Sequence, residues 1–294
     1  MSENKEHAMT CRENYFWGLS QQGFHRLFYQ EWCDKSNADT LICVHGLTRN
    51  SGDFSYLAEQ MQKQYRVICP DIVGRGKSDW LKDKNAYQFS QYLADISVLI
   101  GRLGVNTIDW LGTSMGGLLG IFLASLPNTP IRKLVINDVG PFVPREALIY
   151  ISNYAGNDLH FETFEAVLAY FKQLYVDWGD IPEESWLHMA THSSSKLSDG
   201  TFSLAYDPGI MDSMKKNQDA VTDFDIWPVF EKIQCPILVL HGINSNVLSN
   251  DVAQQMKIRG KNVEVVDFPG IGHAPHLMTE EHVSILSTWL LKSK

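Results

Sequence analysis

The segment Ile108–Gly120 reads IDWLGTSMGGLLG, and the stretch Gly112-Thr113-Ser114-Met115-Gly116 within it constrains the fold more than any other. A β-type apolar run, Thr107–Leu111, enters this G-x-S-x-G pattern, and a helix-forming run of small and aliphatic residues, Gly117–Ser125, leaves it. A strand that turns this abruptly into a helix brings the positions two before and two after the serine into collision, so both favour glycine. Ser114 is then expected at positive φ, with its hydroxyl above the sheet edge and a helix N-terminus behind it. Five residues are a weak signal alone, and their weight depends on what surrounds them.

Strand and helix signals alternate on both sides of the motif. Strands are expected at Phe24–Cys33, Thr40–Val44, Tyr65–Cys69, Thr107–Leu111, Lys133–Ile136, Pro236–Leu240 and Val263–Phe268. Helices are expected at Phe54–Gln62, Tyr87–Leu103, Val247–Met256 and Glu280–Leu291, besides the one that leaves the motif. Short β-branched runs separated by helices indicate a parallel sheet covered on both faces. Between Pro141 and Asp225 the rhythm breaks: periodicity is helical, aromatics such as Tyr170, Phe171, Tyr175 and Trp178 are dense, and no strand is evident. This middle reads as a helical lid, residues 141–225, inserted into a core made of 1–140 and 226–294. Its aromatics serve packing first and the wall of a pocket second.

Composition narrows the partners. Of 294 residues, 44% are hydrophobic and 20% charged, the balance of an ordinary soluble globular protein. The net charge of −9, with no basic run longer than two residues, argues against nucleic acid and against an anionic membrane surface. No apolar stretch reaches the length of a membrane span, and the amino-terminal MSENKEHAMTCREN has no apolar leader region. Five scattered cysteines suit neither a disulfide framework nor a zinc site, and a cytoplasmic location is expected.

Two further segments fit the serine. His45-Gly46-Leu47-Thr48 follows the Thr40–Val44 strand, where a loop can present a backbone N–H to a developing oxyanion. Leu47 and Met115 are the expected pair of donors, and His45 is expected to organise the loop. Near the C-terminus, Gly270-Ile271-Gly272-His273-Ala274-Pro275-His276 places His273 in a Gly- and Pro-bounded loop after the last strand, the location of a general base. His276 is expected at the rim. Arg49 either anchors the oxyanion loop through an ion pair or binds a substrate carboxylate. The run Asp71–Asp79 reads as a strand-to-helix turn rather than a phosphate loop, and His188 and His192 lack the further ligands of a metal site.

Taken together, HGLTRNSGDF (His45–Phe54), CPDIVGRGKSDW (Cys69–Trp80), GTSMGG (Gly112–Gly117), LVINDVGP (Leu134–Pro141) and GIGHAP (Gly270–Pro275) resemble the α/β-hydrolase-fold superfamily in order and spacing. The resemblance implies an α/β fold with a mostly parallel, doubly wound sheet of about eight strands and an inserted helical lid. It also implies Ser114 as nucleophile, His273 as base, and an acid after the penultimate strand.

That third position departs from the pattern. In Gly242-Ile243-Asn244-Ser245-Asn246 the residue expected to be aspartate is Asn246, and the next acid, Asp251, should already lie in a helix. In serine proteases an Asp→Asn change at the acid costs about 10⁴ in kcat. Asn246 can orient the ring but cannot supply charge. Three readings stay open. Asp138, otherwise expected to order the lid hinge, substitutes as the acid; or Asn246 makes a slow or trapped enzyme; or the scaffold has become a ligand-binding protein. The function expected first is hydrolysis of a small carboxylic ester through an acyl-enzyme on Ser114, without cofactor or metal. Cleavage of C–C bonds in dienoate ring-cleavage products is the alternative, with Arg49 holding their carboxylate.

Overall fold

The computed structural model describes residues 11–33 and 39–292. Most of the polar amino-terminal stretch read above, up to residue 10, therefore lies outside the described residues.

An eight-stranded sheet forms the centre, with strands β1 (Arg12–Ser20), β2 (Gly23–Trp32), β3 (Thr40–Val44), β4 (Arg66–Pro70), β5 (Ile108–Thr113), β6 (Ile131–Asn137), β7 (Ile237–Gly242) and β8 (Val263–Phe268). Their spatial order is β1-β2-β4-β3-β5-β6-β7-β8. The pairs from β4 to β8 are all parallel, while β1 and β2 form an antiparallel hairpin added to β4. β1 was not expected from the sequence. Its mixture of charged and aromatic residues, RENYFWGLS, has no long β-branched run, and pairing with β2 along its whole length makes it a strand.

Each central strand is buried on both faces, which explains its unbroken apolar character. In β3, Leu41 and Cys43 join a cluster with Leu57, Tyr65, Leu286 and Trp289, contributed partly by helices α1 (Ser55–Met61) and α8 (Glu280–Leu291). Ile42 and Val44 point the other way, into the larger cluster with residues of α2 (Phe89–Leu103) and α3 (Met115–Ala124). Alternation with period two thus assigns successive residues to opposite helix layers. The helix expected at Val247–Met256 begins three residues later, as α7 (Asn250–Arg259), because Ser249 caps it by accepting from the Val252 N–H.

The chain leaves the sheet after β6 and returns to it before β7. In between lie α4 (Arg145–Tyr154), α5 (Phe164–Leu174) and α6 (Glu183–His192). This insertion is not purely helical. A three-stranded sheet joins His160–Phe161, Ser194–Lys196 and Phe202–Leu204, and Phe142–Val143 pairs with Phe224–Asp225 at its neck. Two- and three-residue strands are too short for an alternating pattern to register in sequence. Among the described residues no helix is long and apolar enough to cross a membrane.

Candidate active site

The carboxyl ends of β3, β5, β6 and β7 and the loop after β8 meet at one edge of the sheet, the edge at which open α/β sheets bind ligands. Ser114 sits at φ 51°, between β5 and α3. The two glycines around it are sterically required. A Cβ on Gly112 would lie 2.1 Å from the Gly116 carbonyl oxygen, and one on Gly116 would lie 2.1 Å from that of Val44. The Ser114 N–H donates to the Asn137 carbonyl at 2.9 Å, locking the turn to the end of β6.

His273 reaches over this turn, its Nε2 2.9 Å from Ser114 Oγ. Its Nδ1 faces Asp138 Oδ2 at 2.8 Å. Asp138 is 0% exposed, and its second oxygen accepts the Gly242 N–H at 2.8 Å. The carboxylate thus joins the ends of two strands while it faces the imidazole. The loop bearing His273 is held by its own bonds. Asn137 Nδ2 donates to the Pro275 carbonyl at 2.9 Å, and the Trp178 indole N–H donates to the His273 carbonyl.

Asp138, expected first to order the lid hinge, is therefore the residue hydrogen-bonded to His273, and Asn246 is not. Asn246 is exposed and shares the wall of a small cavity with His273, Tyr154, Tyr175 and Asp177, but makes no hydrogen bond to His273 among the described residues. The expectation for His276 also fails. Its ring is buried against His282, with centroids 4.7 Å apart, and its Nδ1 accepts the Met278 N–H. Burial, and then the charge on His282, pushes its pKa down to about 4, so it is uncharged at neutral pH.

His45 is fully buried, donating from Nδ1 to the Gly46 carbonyl and accepting the Ile72 N–H at Nε2. Burial lowers its pKa to about 4. It splints the loop to the end of β4 and faces no reacting group. Arg49 pairs with Asp53, and its guanidinium lies against the rings of Phe171, Tyr175 and Trp178. It lines neither cavity at the site, which corrects its expected place among substrate-binding residues. His188 donates to the Gly52 carbonyl and its ring lies tilted against that of His192, so this pair packs the insertion onto the loop after β3.

A cavity of about 470 Å³ opens from Ser114, walled by Leu47, Met115, Leu118, Val139, Leu148 and Met214 among others, with Tyr87 and Tyr92 on one side. Among the described residues, no lysine, arginine or histidine lines it. Met115 opens α3, so its N–H lies among the first four of a helix, which have no intrahelical acceptor.

Comparison with known proteins places the chain in one fold family. The family model described as α/β hydrolase fold matches residues 39–280. The chain is 41% identical over 273 residues to the 3-hydroxybutyrate-oligomer hydrolase of Cupriavidus necator, covering 91% of this chain and 93% of that one. It is 25% identical over 255 residues to a bifunctional esterase/perhydrolase of Acinetobacter calcoaceticus, covering 84% and 89% respectively. An α/β hydrolase from Novosphingobium aromaticivorans superimposes with a TM-score of 0.85 at 35% identity, over 95% of this chain and 98% of that one.

Proposed function

The chain belongs to the α/β hydrolase fold family and is a hydrolase, and from that premise we propose that it cleaves carboxylic esters through an acyl-enzyme on Ser114. The observation that carries the reading is the hydrogen-bonded series Asp138–His273–Ser114, at 2.8 and 2.9 Å. Ser114 Oγ attacks the ester carbonyl while His273 Nε2 takes its proton. The Asp138 carboxylate accepts from Nδ1, fixes the tautomer and stabilises the imidazolium. The N–H groups of Leu47 and Met115 hold the oxyanion, and His273 then protonates the departing alkoxide. Water, deprotonated by the same ring, releases the acid. Residues 141–225 act as a lid over this chemistry.

Oligomeric hydroxyalkanoate esters are the substrate class the reading favours. The relative from Cupriavidus necator acts on 3-hydroxybutyrate oligomers by name, and the cavity beside Ser114 is apolar enough for their methyl-bearing chain. C–C cleavage of dienoates is less well supported, because such substrates carry carboxylates and no cation among the described residues lines the cavity. The binding-protein reading started from a missing acid, and the 2.8 Å contact of His273 Nδ1 with Asp138 supports the enzyme reading over it. The test is hydrolysis of p-nitrophenyl butyrate and of 3-hydroxybutyrate trimer by the protein and by Ser114→Ala. Both substrates should turn over, and the variant should lose about 10³-fold or more. An equally active variant overturns the reading.

A further inference from the structure

Arg75 lies in the GRGKSD run that the sequence reading assigned to a plain turn, and its surroundings are those of a working residue. Its side chain is 0% exposed, and among the described residues it has no carboxylate within ion-pair distance. A buried guanidinium without a counter-charge carries a large desolvation cost, and neutral partners offset it only in part. Those partners are specific. Nε donates to the Leu47 carbonyl at 2.8 Å. Nη1 donates to the Val73 carbonyl at 2.8 Å and to Tyr92 Oη at 3.0 Å. Nη2 lies 3.9 Å from Met115 Sδ. The guanidinium also sits near the rings of Tyr87 and Tyr92, at 5.7 and 5.0 Å from their centroids, and both rings line the cavity at Ser114.

One side chain therefore touches both residues that the reading above assigns as oxyanion donors. We propose that Arg75 is the positioning residue of the oxyanion hole: it fixes the Leu47 loop against Met115 and supplies, behind the two N–H donors, a positive charge that no carboxylate pairs directly. The proposal rests on the ester-hydrolysis reading. Its physical basis is that a charge held in a dry, low-dielectric site acts on a developing oxyanion far more strongly than on a neutral ground state. Because the Leu47 carbonyl is pinned, the loop cannot turn that oxygen toward the substrate. The guanidinium itself touches neither substrate nor reacting atoms.

Arg75→Met removes the charge at similar length, and Arg75→Lys keeps a charge without the fork that spans Leu47, Val73 and Tyr92. Rates are measured on p-nitrophenyl butyrate, per active site titrated with a fluorophosphonate. Inhibition is measured with butylboronic acid, whose adduct places a negative oxygen in the hole, and with neutral butyramide. For Arg75→Met we expect kcat to fall about 50-fold with KM within about threefold, somewhat less than the loss of a donor itself. Boronate affinity should fall by the same factor while butyramide affinity holds, and Arg75→Lys should recover at least about fivefold. Unchanged kcat, or equal weakening of boronate and butyramide, overturns the proposal. Should Arg75→Met fail to fold, Arg75→Lys decides alone: selective weakening of the boronate supports the proposal, and unchanged boronate binding overturns it. Ser114→Ala, run alongside, separates this from failure of the ester reading, which an active alanine variant overturns instead.

Discussion

The loops after β6 and β7 leave neighbouring strand ends at the same edge of the sheet, and each carries a residue that sequence reasoning proposed as the partner of His273. Asp138 follows β6 with its backbone at φ 56° and its side chain fully buried, and one carboxylate oxygen is tied to the Gly242 N–H. Asn246 follows β7 by four residues on an exposed loop. The contrast lies in who holds the side chain. Asp138 is fixed by two bonds and by the sheet beneath it, so its carboxylate is aimed at His273 within the fold itself. A carboxylate at position 246 would stand on an exposed loop that neither buries it nor bonds it, which is the weaker support for a side chain that must hold a fixed geometry.

The largest effect that sharpens this comparison is expected from Asp138→Asn. It keeps the shape and the bond to Gly242 but removes the charge, so kcat for p-nitrophenyl butyrate should fall by about 10³–10⁴. That corresponds to about 4–5 kcal/mol in the barrier. Adding Asn246→Asp to that variant should recover no more than about threefold, because the amide at 138 still occupies the Nδ1 side of the ring. A larger recovery would make the two strand ends interchangeable and break the comparison.

Next in size is an effect on stability. His45 and His276, both with pKa lowered to about 4 by burial, bind fewer protons folded than unfolded between about pH 6.5 and 4. Acidification through that window therefore favours the unfolded chain, by up to about 3 kcal/mol per histidine. Asp71 works in the opposite sense. Burial raises its pKa to about 6, so it binds more protons folded than unfolded from about pH 6 down to its unfolded value, and acidification favours the fold there. His192 and His282 are lowered by burial as well and Asp95 raised, so the lowered histidines outnumber the raised aspartates, the net is a loss, and the thermal midpoint should drop between pH 7 and pH 4.5. His276→Gln should show a smaller drop, since the loop bearing His273 then holds one fewer histidine to charge. An unchanged drop would exclude His276 as a source. The smallest effect is expected from Asn246→Asp alone, with kcat within about threefold of the parent at neutral pH. A hundredfold gain would transfer the acid's role to the β7 loop.

Much of this was legible in the sequence because it follows from short-range sterics. Gly112 and Gly116 are required by contacts of about 2 Å with backbone oxygens a few residues away or on the adjoining strand end, and any chain making this turn needs them. Leu41, Ile42, Cys43 and Val44 announce a doubly buried strand, because each faces one of two helix layers. The placement of His273 beside Ser114 was legible because the loop after the last strand is the one that reaches the serine turn. The aromatic ladder Phe171, Tyr175 and Trp178 was read as packing, and its rings do stack on one another and on Arg49.

What the chain's order of residues determined by itself is the architecture, the serine turn and the histidine loop, since each depends on local geometry repeated at a fixed place in the fold. Only the tertiary structure decided which side chain meets His273 Nδ1, that His276 is interior, that Arg49 stays behind the aromatic wall, and that Arg75 touches Leu47 and Met115 together. All but the burial of His276, which packs on His282 nearby, join residues tens to more than a hundred positions apart, and the outcome depends on the placement of strand ends that no periodicity records. A carboxylate 135 positions before its histidine becomes its partner only when β6 and β7 lie side by side.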